Sequence, residues 1–165
     1  MAAVHNISPN LWFDTQAEEA AEFYTSIFPN SKVERIARYP EAGQDVHHKE
    51  PGSIMTVDFV IDGQPFVALN GGPEFKFNES ISFVVHCDTQ EEIDRFWDKL
   101  GEGGDPMAHQ CGWLKDKFGV SWQIVPRILT TLTMNPNPQK AASVFTAMLK
   151  MKKLDIAALE RAAEG

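Results

Sequence analysis

The sequence predicts an α+β fold of two successive βαβββ units followed by a helical C-terminal extension. Three observations carry that expectation. The stretch Asp14-Thr-Gln-Ala-Glu-Glu-Ala-Ala-Glu-Phe-Tyr24 returns, one residue shorter, as Asp88-Thr-Gln-Glu-Glu-Ile-Asp-Arg-Phe-Trp97, and such an internal repeat points to a duplicated supersecondary unit. In each copy a Thr (Thr15, Thr89) is followed three residues later by Glu (Glu18, Glu92), the pattern in which side chains satisfy the unpaired amides of a helix start. Each copy is also flanked by short apolar and β-branched runs cut by Gly, Pro and Asn, which read as strands.

In chain order, His5 to Phe13 reads as a first strand, and a capped helix follows over about 15–28 with Ala17, Ala20, Ala21, Tyr24, Ile27 and Phe28 on one face. Pro29-Asn-Ser31 stops it. Lys32 to Tyr39 reads as a second strand, and Pro40 to Gly52 as a polar loop bounded by Pro and Gly. Ile54 to Ile61 and Pro65 to Asn70 form a hairpin across the turn signal Asp62-Gly63. After the connection Gly71 to Glu79, the second unit opens with a strand from Ser80 to Cys87 and a capped helix over about 89–100, whose stripe is Ile93, Phe96, Trp97 and Leu100. A strand over Met107 to Gln110 and a final strand from Val120 to Val125 complete it. The expected domain is 1–126, with units at about 5–70 and 80–126, and residues 127–165 form the extension. There Asn135-Pro-Asn-Pro138 starts a helix with Ala141, Val144, Phe145, Met148 and Met151 at helical spacing, and a shorter helix carries Ile156 and Leu159. These helices either pack on their own sheet or pad a homodimer contact with the Met-bearing stripe; a homodimer is the expectation.

The totals exclude several classes. A net charge of −8 offers no basic footprint for nucleic acid. No apolar run approaches the roughly 20 residues of a membrane helix, and the N-terminus shows no secretory pattern, so the expected compartment is the cytoplasm. The two cysteines, Cys87 and Cys111, are expected to be reduced there.

Two units that each run strand, Asp, capped helix, aromatic pair resemble the vicinal oxygen chelate superfamily, the fold of glyoxalase I, extradiol dioxygenases and bleomycin-resistance proteins. More narrowly, Leu11-Trp-Phe-Asp14, Glu19 to Phe28, Cys111 to Pro126 and Ala147 to Ile156 resemble its PhnB-like branch, often labelled "3-demethylubiquinone 3-methyltransferase-like". The resemblance covers about 5–160 and implies that the units form a curled mixed sheet with a cleft. It also implies a divalent metal held by His or Gln on the first strand of each unit and Glu on the last. Counting from Asp14 and Phe23-Tyr24, the first-strand positions fall on Pro9 or Ile7, and in the second unit on Ser82 or Ile81; the closing Glu falls on Gln123. None of the first-strand residues is a metal ligand, and one amide oxygen holds a hard or borderline cation poorly. No cofactor is therefore expected, although metal bound through other ligands stays open. Methyl transfer from S-adenosylmethionine would call for a Gly-rich turn after a strand, whereas Gly101-Glu-Gly-Gly104 follows a helix and reads as its C-terminal turn.

Strand parity then nominates cleft residues. With Ile81, Phe83 and Val85 turned to the helix, Ser82, Val84 and His86 share the opposite face, which the superfamily geometry makes the cleft, and Gln123 joins them. The ligand-binding candidates are Ser82, His86, Gln123, Asn70 and Trp113. The catalytic candidates are His86, as a general base near neutral pH, and Cys111, as a nucleophile. Against these stand a surface histidine at a strand end and a small buried hydrophobe. No metal-ligating residue is assigned: His47-His48 reads as a solvated pair in the polar loop. Trp12, Trp113 and Trp122 read as core, with one facing the cleft. Two function classes remain: a protein that binds or sequesters a small organic molecule in the cleft, or an enzyme on a small metabolite, either a glyoxalase-like lyase or isomerase or the methyltransferase of the family label.

Overall fold

The structure, a computed structural model, describes residues 6–165. It forms two compact units, one ending at Lys76 and one running Phe77–Gly165, and its mixture of helices and sheets is the α+β architecture expected.

In the first unit the elements are β1 (Asn10–Phe13), α1 (Ala17–Ile27), β2 (Lys32–Arg38), the one-turn helix α2 (Gln44–His47), β3 (Ile54–Ile61) and β4 (Gln64–Asn70). The strands order as β1-β4-β3-β2, with β1 parallel to β4 and the other pairs antiparallel. Asp62 and Gly63 both take positive φ, 47° and 78°, which gives the two-residue β3–β4 hairpin a turn whose twist matches its strands. From α1, Ala17, Ala20, Ala21 and Tyr24 are wholly buried. Tyr24 stacks over Phe59 at 6.3 Å and Phe59 over Phe66 at 5.4 Å, so the apolar stripe read from the repeat is the surface that seats the helix on β3 and β4. The loop read over 40–52 contains α2, a single turn that brings the His47 ring to 4.9 Å from Tyr39.

The two helix starts differ, and the first corrects the sequence reading. In the second copy Thr89 is the N-cap: its hydroxyl accepts from Glu92 N at 3.2 Å, and the Glu92 carboxylate accepts from Asp88 N at 2.7 Å. In the first copy the N-cap is Gln16, and its side chain caps nothing. The amide of Ala17 donates instead to Asn70 Oδ1 at 2.8 Å, an oxygen supplied by β4. Helix length explains the difference. Both helices begin six residues before the Phe of their aromatic pair (Ala17 before Phe23, Gln90 before Phe96), so the extra residue of the first copy pushes Thr15 one place outside the cap.

In the second unit β5 (Ser82–Cys87), α3 (Gln90–Gly101), β6 (Trp113–Lys115) and β7 (Ser121–Pro126) build a sheet of order β5-β7-β6, with β5 parallel to β7. This matches β1-β4-β3 of the first sheet. The strand expected over Met107 to Gln110 is instead a 3₁₀ turn at Pro106–Ala108, capped by Asp105 through Met107 N, with Gln110 bridging to Trp113. Pro106 lacks the N–H a strand would donate and fixes φ in the helical range. Phe83, Val85 and Cys87 turn inward with Trp122 and Ile124, and α3 adds Ile93, Phe96 and Leu100. Ile81, expected inside, precedes β5 and is 71% exposed.

The C-terminal segment belongs to the second unit. Beyond the two helices expected, it holds a short α4 (Ile128–Thr133) before α5 (Pro138–Leu149) and α6 (Ile156–Glu164). Asn137 caps α5 with Pro138 at its first position, as the Asn-Pro signal implies. Val144, Leu154 and Leu159 form a buried cluster against which Met148 and Met151 pack. The cluster is tied to the sheet side by Cys111 N to Met151 O (2.9 Å), Gly112 N to Lys152 O (2.7 Å) and the two arms of Gln90 on Leu154 O and Ile156 N. Part of the methionine stripe thus faces inward, while Phe145 and Leu149 stay half exposed. Among the described residues no helix is long and apolar enough to cross a membrane.

Candidate functional site

Register places most of the nominated residues of the second unit on one sheet face. Ser82 pairs with Ser121, Val84 with Gln123 and His86 with Val125 across β5 and β7, while Trp113 pairs with Gln123 and Lys115 with Ser121 across β6 and β7. Paired residues point to the same side, so Ser82, Val84, His86, Ser121, Gln123, Trp113 and Lys115 share the face opposite the buried Trp122 and Ile124. The Gln123 amide donates to Ser82 Oγ at 2.9 Å. Ser121 is only 2% exposed, and its hydroxyl has no hydrogen-bond partner. A buried hydroxyl left unpaired costs about 1–3 kcal/mol, and this one lies beneath the surface of the face. Lys115 reaches Glu79 in an ion pair that holds the Glu79 carboxyl below its usual range.

Sequence reasoning had no means of finding Ser121 as distinct from its neighbours, because its side chain is one of several serines and only burial singles it out. His86 sits on the same face at the exposed end of β5. Cys111 takes a left-handed φ of 51° just before β6, and its sulfur accepts from the Gln110 side chain at 3.3 Å. Its backbone position is fixed by the Met151 carbonyl. Cys87 is free and fully buried, and burial pushes its thiol up to about 11, which removes it as a nucleophile near neutral pH. Asn70 lies in the first unit with both ends of its amide engaged: Oδ1 on Ala17 N, and Nδ2 on Ile54 O at 3.1 Å.

A family model described as 3-demethylubiquinone-9 3-methyltransferase matches residues 5–125. The chain belongs to that family. A solved PhnB protein from Bacillus cereus, described by the same methyltransferase name, is 36% identical over 74% of this chain and 99% of its own, with a TM-score of 0.62. A protein from Pseudomonas aeruginosa, at 22% identity over 74% of this chain and 98% of its own, shares the fold with a TM-score of 0.56. No curated protein matches the chain. The family and the PhnB relative fit the resemblance to the vicinal oxygen chelate superfamily drawn from the sequence.

The residues present do not fit the metal which that resemblance implies. The counted positions do meet in the second unit, since Ser82 and Gln123 are hydrogen-bonded, but a hydroxyl and a carboxamide are neutral and are engaged with each other. In the first unit Pro9 and Val67, four residues after Gly63, bring no donor side chain and are joined by their backbones, Val67 N to Pro9 O at 3.0 Å. Among the described residues no group of three His, Cys, Asp or Glu side chains could hold a metal ion. Nor do the glycines form a nucleotide cradle. Gly101 ends α3, and a Cβ on Gly104 would lie 2.1 Å from the Lys115 carbonyl oxygen, so this cluster is a packed helix end. Gly71-Gly72 does follow a strand, β4, but it is filled from within. A Cβ on Gly71 would lie 2.2 Å from Trp12, whose indole N–H donates to Gly72 O at 2.8 Å.

Proposed function

We propose that this PhnB-like protein binds a small organic molecule directly on the polar face of its second sheet. The observation that carries the reading is the arrangement of Ser82, Gln123 and the unpartnered Ser121 in adjacent register with Trp113 beside them. Three short polar groups on one sheet face provide donors and acceptors, and an indole provides a flat apolar surface, the usual composition of a small-molecule site. Such a face suits a planar molecule carrying a carbonyl or phenol, which the Gln123 amide would meet at its edge, with the buried Ser121 hydroxyl reached only if the face adjusts to the ligand. The demethylated ubiquinone in the family's description has that chemistry and supports the choice of class. His86 and Cys111 are not needed for this reading, which asks for complementarity and not for proton transfer.

The experiment is an NMR screen of isotopically labelled protein against small quinones, phenols and aromatic carbonyl compounds. Binders are expected to shift the Gln123 side-chain amide and the Trp113 indole resonance, and Gln123→Leu is expected to weaken them roughly fivefold or more, the worth of a hydrogen bond of about 1 kcal/mol. Compounds that bind with unchanged affinity to Gln123→Leu and to Ser121→Ala would remove the site from this face.

A further inference from the structure

The displaced cap of α1 leaves a second place where chemistry is exposed. A cavity of about 260 Å³ in the first unit is lined by Asp14, Thr15, Glu18, Tyr39, Lys49 and Asn70, among others. Two of its walls are held in place: the Tyr39 hydroxyl donates to Asn70 O at 2.8 Å, and the Asn70 side chain spans Ala17 N and Ile54 O. Its two carboxylates are free by contrast, while Lys49 Nζ lies beside Gly72, where the Glu74 carboxylate also reaches. In the second copy the Thr and Glu of the repeat cap their helix. In the first, Asn70 takes over that role, and the side chains of Asp14, Thr15 and Glu18 make no hydrogen bond or ion pair with the described residues.

We propose that this cavity binds a small zwitterion of the amino-acid class, its ammonium group between Asp14 and Glu18 and its carboxylate at Lys49. The charge balance selects that class. Within the lining, two carboxylates face one ammonium and the N-terminal end of α1, which acts as about half a positive charge, and Glu74 approaches Lys49 from outside the lining without an ion pair. A ligand with a single charge would be attracted by one side and repelled by the other, whereas a zwitterion answers both. The volume lies at the small end of ligand cavities, which run from roughly 300 Å³ upward, so the ligand has few heavy atoms. A divalent ion does not suit the same walls, because among the described residues no group of three His, Cys, Asp or Glu side chains could hold one. This site lies within the first unit and does not depend on the sheet-face reading.

The test is titration of labelled protein with glycine, β-alanine, 4-aminobutyrate and 5-aminovalerate, with propylamine and propionate as single-charge controls, followed by amide shifts at Thr15, Glu18 and Asn70. At least one zwitterion is expected to bind more tightly than both controls. The double variant Asp14→Asn, Glu18→Gln is expected to weaken it about fivefold or more, from partly exposed charge pairs each worth up to about 1 kcal/mol. Lys49→Met is expected to weaken the zwitterion yet tighten propylamine, a reversal that general damage to the fold does not produce. The proposal is overturned if no zwitterion exceeds the controls, if the carboxylate variants leave binding unchanged, or if Lys49→Met moves zwitterion and propylamine in the same direction.

Discussion

Substituting Asn70 by Ala should destabilise the protein far more than substituting Thr15, although the repeated sequence marks Thr15 as the helix cap. Asn70→Ala removes the acceptor 2.8 Å from Ala17 N, and loss of a capping side chain costs about 1 kcal/mol. Ala17 is fully buried, so its amide cannot turn to water, and a stranded buried donor adds about 1–3 kcal/mol. The bond from Nδ2 to Ile54 O at 3.1 Å is lost as well. The total is roughly 2–4 kcal/mol. Thr15→Ala, which breaks no bond in the structure, should stay within about 0.5 kcal/mol of wild type. Thr89→Ala, which removes a real cap, should cost about 1 kcal/mol. Urea unfolding read as a shift in midpoint at constant slope measures all three. A Thr15→Ala loss equal to that of Thr89→Ala, or an Asn70→Ala loss below about 1 kcal/mol, would refute the account of how α1 starts.

Asp116 is 2% exposed, and its carboxylate accepts from Phe118 N, Val120 N and the Trp122 indole at 2.8–3.0 Å; Asp116→Ala strands these donors and should cost on the order of 3–5 kcal/mol in the same assay. Cys87, with its thiol pushed up to about 11 by burial from an ordinary value of 9.0, keeps its proton in the fold where the unfolded chain has lost it. Stability should therefore fall as pH rises from about 9 through about 11, a fall that Cys87→Ala should reduce, and native protein should be alkylated at Cys111 well before Cys87. The homodimer expected from the C-terminal stripe would have to use Phe145 and Leu149, because Met148 and Met151 pack inward. Phe145→Glu should then lower the sedimentation coefficient, and a wild-type chain that sediments as a monomer would count against the dimer.

Much of this architecture could be read from local signals, because the interactions that fix it lie close in sequence. The Thr89-Glu92 capping box, the Asp62-Gly63 turn and the Asn-Pro start of α5 each satisfy their backbone groups within a few residues, and each was legible. What was missed rests on distant partners. Asn70 caps a helix 53 residues earlier in the chain, and the one-residue difference between the two copies was the only sequence trace of it. The exception is local: Pro106 lacks the N–H that a strand over Met107 to Gln110 would need, and it starts a 3₁₀ turn there instead. At the candidate site, alternation along β5 and β7 correctly brought Ser82 and Gln123 to one face, since parity follows from strand geometry alone. The burial of Ser121 depends on packing, and no alternation rule reports it.

Direct binding, without a bridging cation, is the central claim. Calorimetric titration of an NMR-identified planar ligand into wild-type protein and Gln123→Leu, both in EDTA, tests it most directly. The account predicts that wild type retains full affinity in EDTA and that Gln123→Leu loses roughly fivefold or more. Binding that vanishes in EDTA and returns with one equivalent of a divalent metal would contradict it.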